Sequence, residues 1–151
     1  MNRKETTALL SKLIEKLINP QKDTRIYCAK EVTFDWGTQN QVHFDYMRYK
    51  PLNNTVSGIE KGDFYCYEIK FSTEDFNSKN SHNMIGDFNY YVMPLEVYEK
   101  VKDKIPLRVG VYAACQAELK NVKKAKRCDR KKSALEMLLM MFRSASRELY
   151  K

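Results

Sequence analysis

The run Tyr65-Cys66-Tyr67-Glu68-Ile69-Lys70 decides how this chain folds. A strand turns its side chains over at every residue, so Glu68 and Lys70 project from one face about 7 Å apart while Tyr67, Ile69 and Phe71 point the other way. One face can then be buried as apolar surface, and the other can hold a carboxylate beside an ammonium. A surface strand rarely needs that combination. Asp45, one predicted strand earlier, adds a second carboxylate.

Working outward, Asp45 lies in a predicted strand over residues 42–49, the return arm of a hairpin that turns at Asp35-Trp36-Gly37-Thr38. The first arm, residues 25–34, alternates, with Ile26, Cys28, Val32 and Phe34 on one face and Tyr27, Ala29, Glu31 and Thr33 on the other. Ahead of it, Leu9, Leu10, Leu13, Ile14, Leu17 and Ile18 recur at helical spacing, and Asn19-Pro20 stops the helix. Residues 50–62 carry Pro51, Asn53-Asn54 and two glycines, which predicts a loop beside the Asp45 strand, within reach of a substrate.

Past the central strand, Ser72 is placed to cap a short acidic helix running to about Lys79. Residues 88–93 read as a strand, Pro94 opens a helix that Pro106 ends, and residues 109–114 read as a further strand. Residues 118–128 fit either an edge strand or a solvated basic connector. Ser133 caps a last helix whose apolar face is Leu135, Leu138, Leu139, Phe142 and Leu149. A hairpin followed by strand-helix-strand crossovers predicts an α/β fold, a mixed central sheet flanked by helices with an extra C-terminal helix.

The 151 residues suffice for one domain with its own core, spanning 1–151. Twenty-seven Lys and Arg against nineteen Asp and Glu give a net charge of +8, which favours polyanions as partners. Four dispersed cysteines, Cys28, Cys66, Cys115 and Cys128, form no C-x-x-C pair, so neither zinc nor disulfides are expected and a reduced, cytoplasmic setting fits. Lys12, Glu15 and Lys16 interrupt the first apolar stretch, and no run is long enough to span a bilayer, so no membrane is expected.

Asp45 and Glu68 at one end of neighbouring strands would repel each other unless a cation lay between them, and an oxygen-rich, partly hydrated site suits Mg²⁺ or Mn²⁺. Lys70, on the face of Glu68, can orient or deprotonate a water or neutralise a phosphate. Those residue types imply metal-assisted phosphodiester hydrolysis.

At these positions the chain resembles the PD-(D/E)XK, or restriction-endonuclease-like, nuclease superfamily, whose signature is an acidic residue on one strand and Glu-x-Lys on the next. The predicted α-β-β-β-α-β order also looks like that superfamily's core. The run from Tyr67 to Phe76, then Lys79, then Asp87 to Pro94 is similar to the MmcB-like DNA-repair branch, often encoded in phages and bacteria. The resemblance implies a Mg²⁺- or Mn²⁺-dependent endo- or exodeoxyribonuclease in DNA repair or recombination. It implies metal ligation by Asp45 and Glu68 with the Ile69 carbonyl, and a catalytic Lys70. Many members add an upstream Glu, for which Glu15 and Glu31 are both candidates. Phe44 stands where the superfamily name has Pro, and Phe71 where relatives often have Ser.

Asp75 and Lys79, spaced i, i+4, are either an exposed ion pair or auxiliary to the site. His43 and His82 have no ligand spacing around them and read as satisfied or exposed. Asp87 reads as a turn residue. The basic run Lys120, Lys123, Lys124, Lys126, Arg127 and Arg130 suits phosphate-backbone contacts, with DNA favoured over RNA. Two other functions stay open, a non-catalytic nucleic-acid-binding module on the same fold and a phage-encoded interaction or inhibitor protein. A homodimer is expected to use the apolar stripe of the last helix.

Overall fold

A computed structural model describes residues 2–78 and 84–151. The elements run α1 (Arg3–Ile18), β1 (Tyr27–Phe34), β2 (Val42–Lys50), α2 (Val56–Glu60), β3 (Asp63–Ile69), α3 (Thr73–Phe76), β4 (Phe88–Pro94), α4 (Leu95–Val101), β5 (Gly110–Cys115), β6 (Glu118–Lys123) and α5 (Ala134–Leu149), with a 3₁₀ turn at Lys102–Lys104. The strands form one sheet in the order β1-β2-β3-β4-β5-β6. The first three pair antiparallel, β3, β4 and β5 pair parallel, and β6 returns antiparallel along β5. The mixed sheet flanked by helices and the C-terminal helix are as the sequence predicts, and the ambiguous basic segment supplies β6.

Side-chain alternation on β3 builds both layers. Tyr67 and Ile69 join Leu10, Ile14, Ile18, Tyr46 and Val92 in the core under α1. Phe64 and Cys66 face the opposite layer, where Met47, Phe34 and Phe44 pack against Met137 and Met141 of α5. Tyr91, Met93, Val97, Val101 and Val111 continue that layer under α4. Side-chain caps start the longer helices, Asn2 accepting from Glu5 N and Ser133 from Glu136 N. Among the described residues no helix is long and apolar enough to cross a membrane, and the four cysteines are free.

Four expectations are corrected. The apolar face assigned to the last helix points outward: Leu135, Leu139, Phe142 and Leu149 are exposed, and Ala134, Met137, Met141 and Ser144 meet the sheet. This helix carries two apolar stripes. The one with the small residues wins because it lets the helix approach closely enough for Ser144 Oγ to donate to the Lys30 carbonyl. The alternation of β1 also breaks, since Ala29 and Val32, three apart, enter the same core. Glu31 between them has a φ of 57°, a left-handed conformation that shifts the pattern by one residue. The helix after the motif ends at Phe76, and Lys79 lies outside the described residues. Lastly, Lys50 pairs with Asp63, which puts the 51–62 loop at the end of the sheet remote from Glu68.

Candidate active site

The β2–β3 ladder runs from Lys50 opposite Asp63 to Tyr46 opposite Tyr67 and stops there. One further step would set Asp45 against Glu68. Instead the Asp45 carboxylate accepts the Ile69 backbone N–H at 2.7 Å. On its other side β3 stays joined to β4, Lys70 N donating to Val92 O at 2.9 Å. The two strands therefore splay at the motif and a cleft of about 540 Å³ opens between them. Its walls include Asp45, Glu68, Ile69, Lys70 and Asp75, and its rim is formed by Arg3 and Thr7 of α1 and by the β1–β2 turn around Gln39.

Glu68 and Lys70 are buried, 6% and 5% exposed, and their charged groups meet at 3.3 Å. The Lys70 ammonium also lies 5.7 Å from the centre of the Tyr91 ring, whose phenol is pushed up by burial and by the Glu68 carboxylate. Burial likewise pushes the Asp45 carboxyl above its ordinary range, against the Ile69 N–H, which favours the anion. A carboxyl raised in the folded state costs stability as pH climbs from its ordinary value through the raised one. Asp45→Asn can still accept from Ile69 and does not ionise. In EDTA the variant is expected to have a higher Tm than the parent above that pH window and an equal Tm below it, as a pH series of thermal melts would show.

The donor chemistry fits the implied cation. Asp45 and Glu68 supply carboxylate oxygens, and the Ile69 carbonyl points to the same side as its N–H, toward β2, where the ladder has ended. Oxygen donors in a partly open cleft are what Mg²⁺ or Mn²⁺ takes. Asp75 lines the cleft, yet its carboxylate accepts Phe71 N at 3.2 Å and its own N–H bonds Ser72 Oγ at 3.1 Å, so it shapes the turn after the motif. Phe71 itself packs under the Arg3 guanidinium, 4.6 Å from its centre, and so ties α1 to the cleft.

The two upstream acids separate. Glu15 accepts a hydrogen bond from the Tyr46 hydroxyl. Glu31 reaches His43, whose Nε2 is 2.9 Å from its carboxylate, and these two with Asp45 bring potential ligand atoms within 4.8 Å of one another. His43 was not expected here. The available signal was its i, i+2 spacing to Asp45, which only the hairpin register, Thr33 opposite His43, turns into a cluster.

The basic run does not border the cleft. Strands β3, β4 and β5 share a direction, so their first residues lie at the end remote from Lys70, and that is where most of the run sits. Arg127 forks onto Asp63 at 2.7 and 2.9 Å, and Arg130 reaches Asp87 at 2.9 Å. Lys123 donates to the Pro106 and Val109 carbonyls, and burial lowers its ammonium below the ordinary value. Lys120, Lys124 and Lys126 are exposed.

The fold and cleft together define a mixed α/β domain with an Asp, Glu and Lys site where its second and third strands part. Among solved structures the chain is similar to the SPO1766 protein of unknown function from Silicibacter pomeroyi, with a TM-score of 0.62 and 16% identity over 91% of this chain and 86% of that one. At that identity the likeness shows the fold alone. No family description and no curated protein matches the chain.

Proposed function

We propose that this protein is a metal-dependent nuclease that hydrolyses phosphodiester bonds in DNA, acting in phage or bacterial DNA repair or recombination. The observation that carries this reading is the convergence of Asp45, Glu68 and Lys70, drawn from two strands, on one open cleft. Asp45, Glu68 and the Ile69 carbonyl would hold Mg²⁺ or Mn²⁺. Bound there, the ion would supply an activated water and charge to offset the phosphate.

The chain's own residues account for the rest. Glu68 and the Tyr91 ring keep the Lys70 ammonium at a defined position, so its charge meets a phosphate without reorganising. The Ile69 N–H fixes the Asp45 carboxylate. Arg3, at the rim, adds a cation facing the same space. Lys124 and Lys126 lie at the far end of the sheet, and Lys120, level with Lys70 in the register, lies three strands across on β6, so these lysines would serve only a longer substrate. A homodimer through the outward stripe of α5 belongs to the same reading, because Leu135, Leu139 and Phe142 form an exposed apolar row.

The test is to incubate the purified protein with single-stranded, duplex and branched DNA and with RNA, in Mn²⁺, Mg²⁺ or EDTA, beside Asp45→Ala and Lys70→Ala. Metal-dependent cutting of DNA that both variants lose is expected. Cutting that persists in EDTA or in both variants would mark a contaminant and overturn the proposal. Salt-sensitive DNA binding without cutting would replace it with a binding module.

A further inference from the structure

We propose that Glu31, His43 and Asp45 form a second cation subsite, sharing Asp45 with the motif and selecting Mn²⁺ or Zn²⁺ over Mg²⁺ through the His43 imidazole. The inference goes beyond the nuclease reading and stands if that reading falls.

The imidazole is held as metal-ligating histidines are held. Nδ1 of His43 is 3.1 Å from Thr33 Oγ1, which leaves Nε2 to face the carboxylates, 2.9 Å from Glu31. Without an ion, an Nε2–H at this position would donate to Glu31. An ion would bind the Nε2 lone pair exposed when that proton leaves, releasing one proton to solvent for each ion bound when the ring starts as the imidazolium, or none when a neutral ring moves its proton to Nδ1. Thr33 Oγ1 can accept the Nδ1–H in the bound state, so the second hydrogen bond survives binding.

The backbone is committed to the same arrangement. Glu31 holds a left-handed φ of 57°, which in a residue with a Cβ persists only where the surroundings enforce it. Here α5 enforces it: Arg147 donates to the Glu31 carbonyl at 2.9 Å, and the Ser144 hydroxyl, which donates to the neighbouring Lys30 carbonyl, lies 3.2 Å from it. The side chain stays on the face of Thr33, opposite the buried Val32 and Phe34, and there meets His43. On the third side, the Ile69 N–H holds Asp45.

Size and donor type then choose the ion. Donors bonded to one ion at about 2.1 Å lie roughly 3 to 4.2 Å apart, so a set within 4.8 Å closes with a side-chain movement below an ångström. One nitrogen with two carboxylates suits Mn²⁺ or Zn²⁺ better than Mg²⁺, whose preference is oxygen and water. Three protein ligands leave positions open, and His43 and Asp45 both border the cleft, so a phosphate oxygen entering the cleft could fill one.

Pulsed EPR of the full chain loaded with Mn²⁺ tests this without reference to activity. The sequence has two histidines, His43 and His82. Imidazole-nitrogen modulation is expected in the parent, retained in His82→Gln and in Glu68→Gln, and lost in His43→Gln, where Mn²⁺ affinity should also fall at least about tenfold while Mg²⁺ affinity does not. A parent spectrum without nitrogen modulation, or modulation that survives His43→Gln, would overturn the subsite, and the parent spectrum decides even where a variant does not fold. Modulation without DNA cutting keeps the subsite and removes the nuclease reading. Cutting without modulation does the reverse.

Discussion

Lys70→Ala is expected to lose about 3 to 5 kcal/mol of folding stability along with DNA cleavage, because it removes the ammonium that the buried Glu68 carboxylate meets at 3.3 Å. For a chain of this length that corresponds to a fall in Tm of roughly 6 to 20 °C. The informative comparison is Glu68→Leu with Lys70→Met together. Taking two charges out of water costs more than their attraction commonly returns, so apolar replacements of similar size are expected to match or exceed the parent's stability while cutting no DNA. A cluster kept for chemistry should behave in that way, since the fold gains nothing by holding it. Thermal and urea unfolding of the three proteins measure it. A Lys70→Ala protein within about 1 kcal/mol of the parent would mean that water reaches the pair, and a double variant weaker than Lys70→Ala would make the pair structural.

The second large effect lies at the opposite end of the sheet. Asp87 is 7% exposed, and its Oδ2 accepts both Phe64 N at 2.8 Å and Arg130 at 2.9 Å. Arg130 also stacks on Phe64, and Arg127 on Phe88, their guanidinium carbons 5.1 and 4.8 Å from the ring centres. One carboxylate thus joins the starts of two parallel strands to the segment leading into α5. Asp87→Ala leaves a buried N–H and a half-buried guanidinium without it, and a loss of about 3 kcal/mol or more is expected. Asp87→Asn keeps an acceptor for Phe64 and should cost less. Alanine at Lys124 or Lys126, both exposed, should leave the urea midpoint in place. If Asp87→Ala unfolds with the parent, the assignment of Arg130 to the fold fails and its place in a nucleic-acid surface reopens.

The Asp87 cluster shows why the basic run was only half legible. A sequence displays that Lys and Arg are dense after Glu118. It does not display that Asp63 and Asp87, some 43 to 64 residues away, will stand beside Arg130 and Arg127. The same limit applies to His43, whose ligand-like surroundings depend on the hairpin register that sets Thr33 opposite it and Glu31 beside it. It applies again to α5, where two apolar stripes compete on one helix and the choice between them is made by how closely Ser144 lets the helix approach β1.

What the sequence determined by itself is local and periodic. Alternation across residues 64 to 71 put Glu68 and Lys70 on one face, and helical spacing, caps and Pro-Gly punctuation placed the other elements closely enough to predict a mixed sheet with helices around it. What only the tertiary structure decided is where strands stop pairing. Asp45 meets the motif because the β2–β3 ladder ends one residue short of it, and its carboxylate takes up the Ile69 N–H that a further rung would have used. The end of a ladder depends on the twist of three strands and on the helices packed across them, a sum of distant contacts that no short stretch of sequence carries.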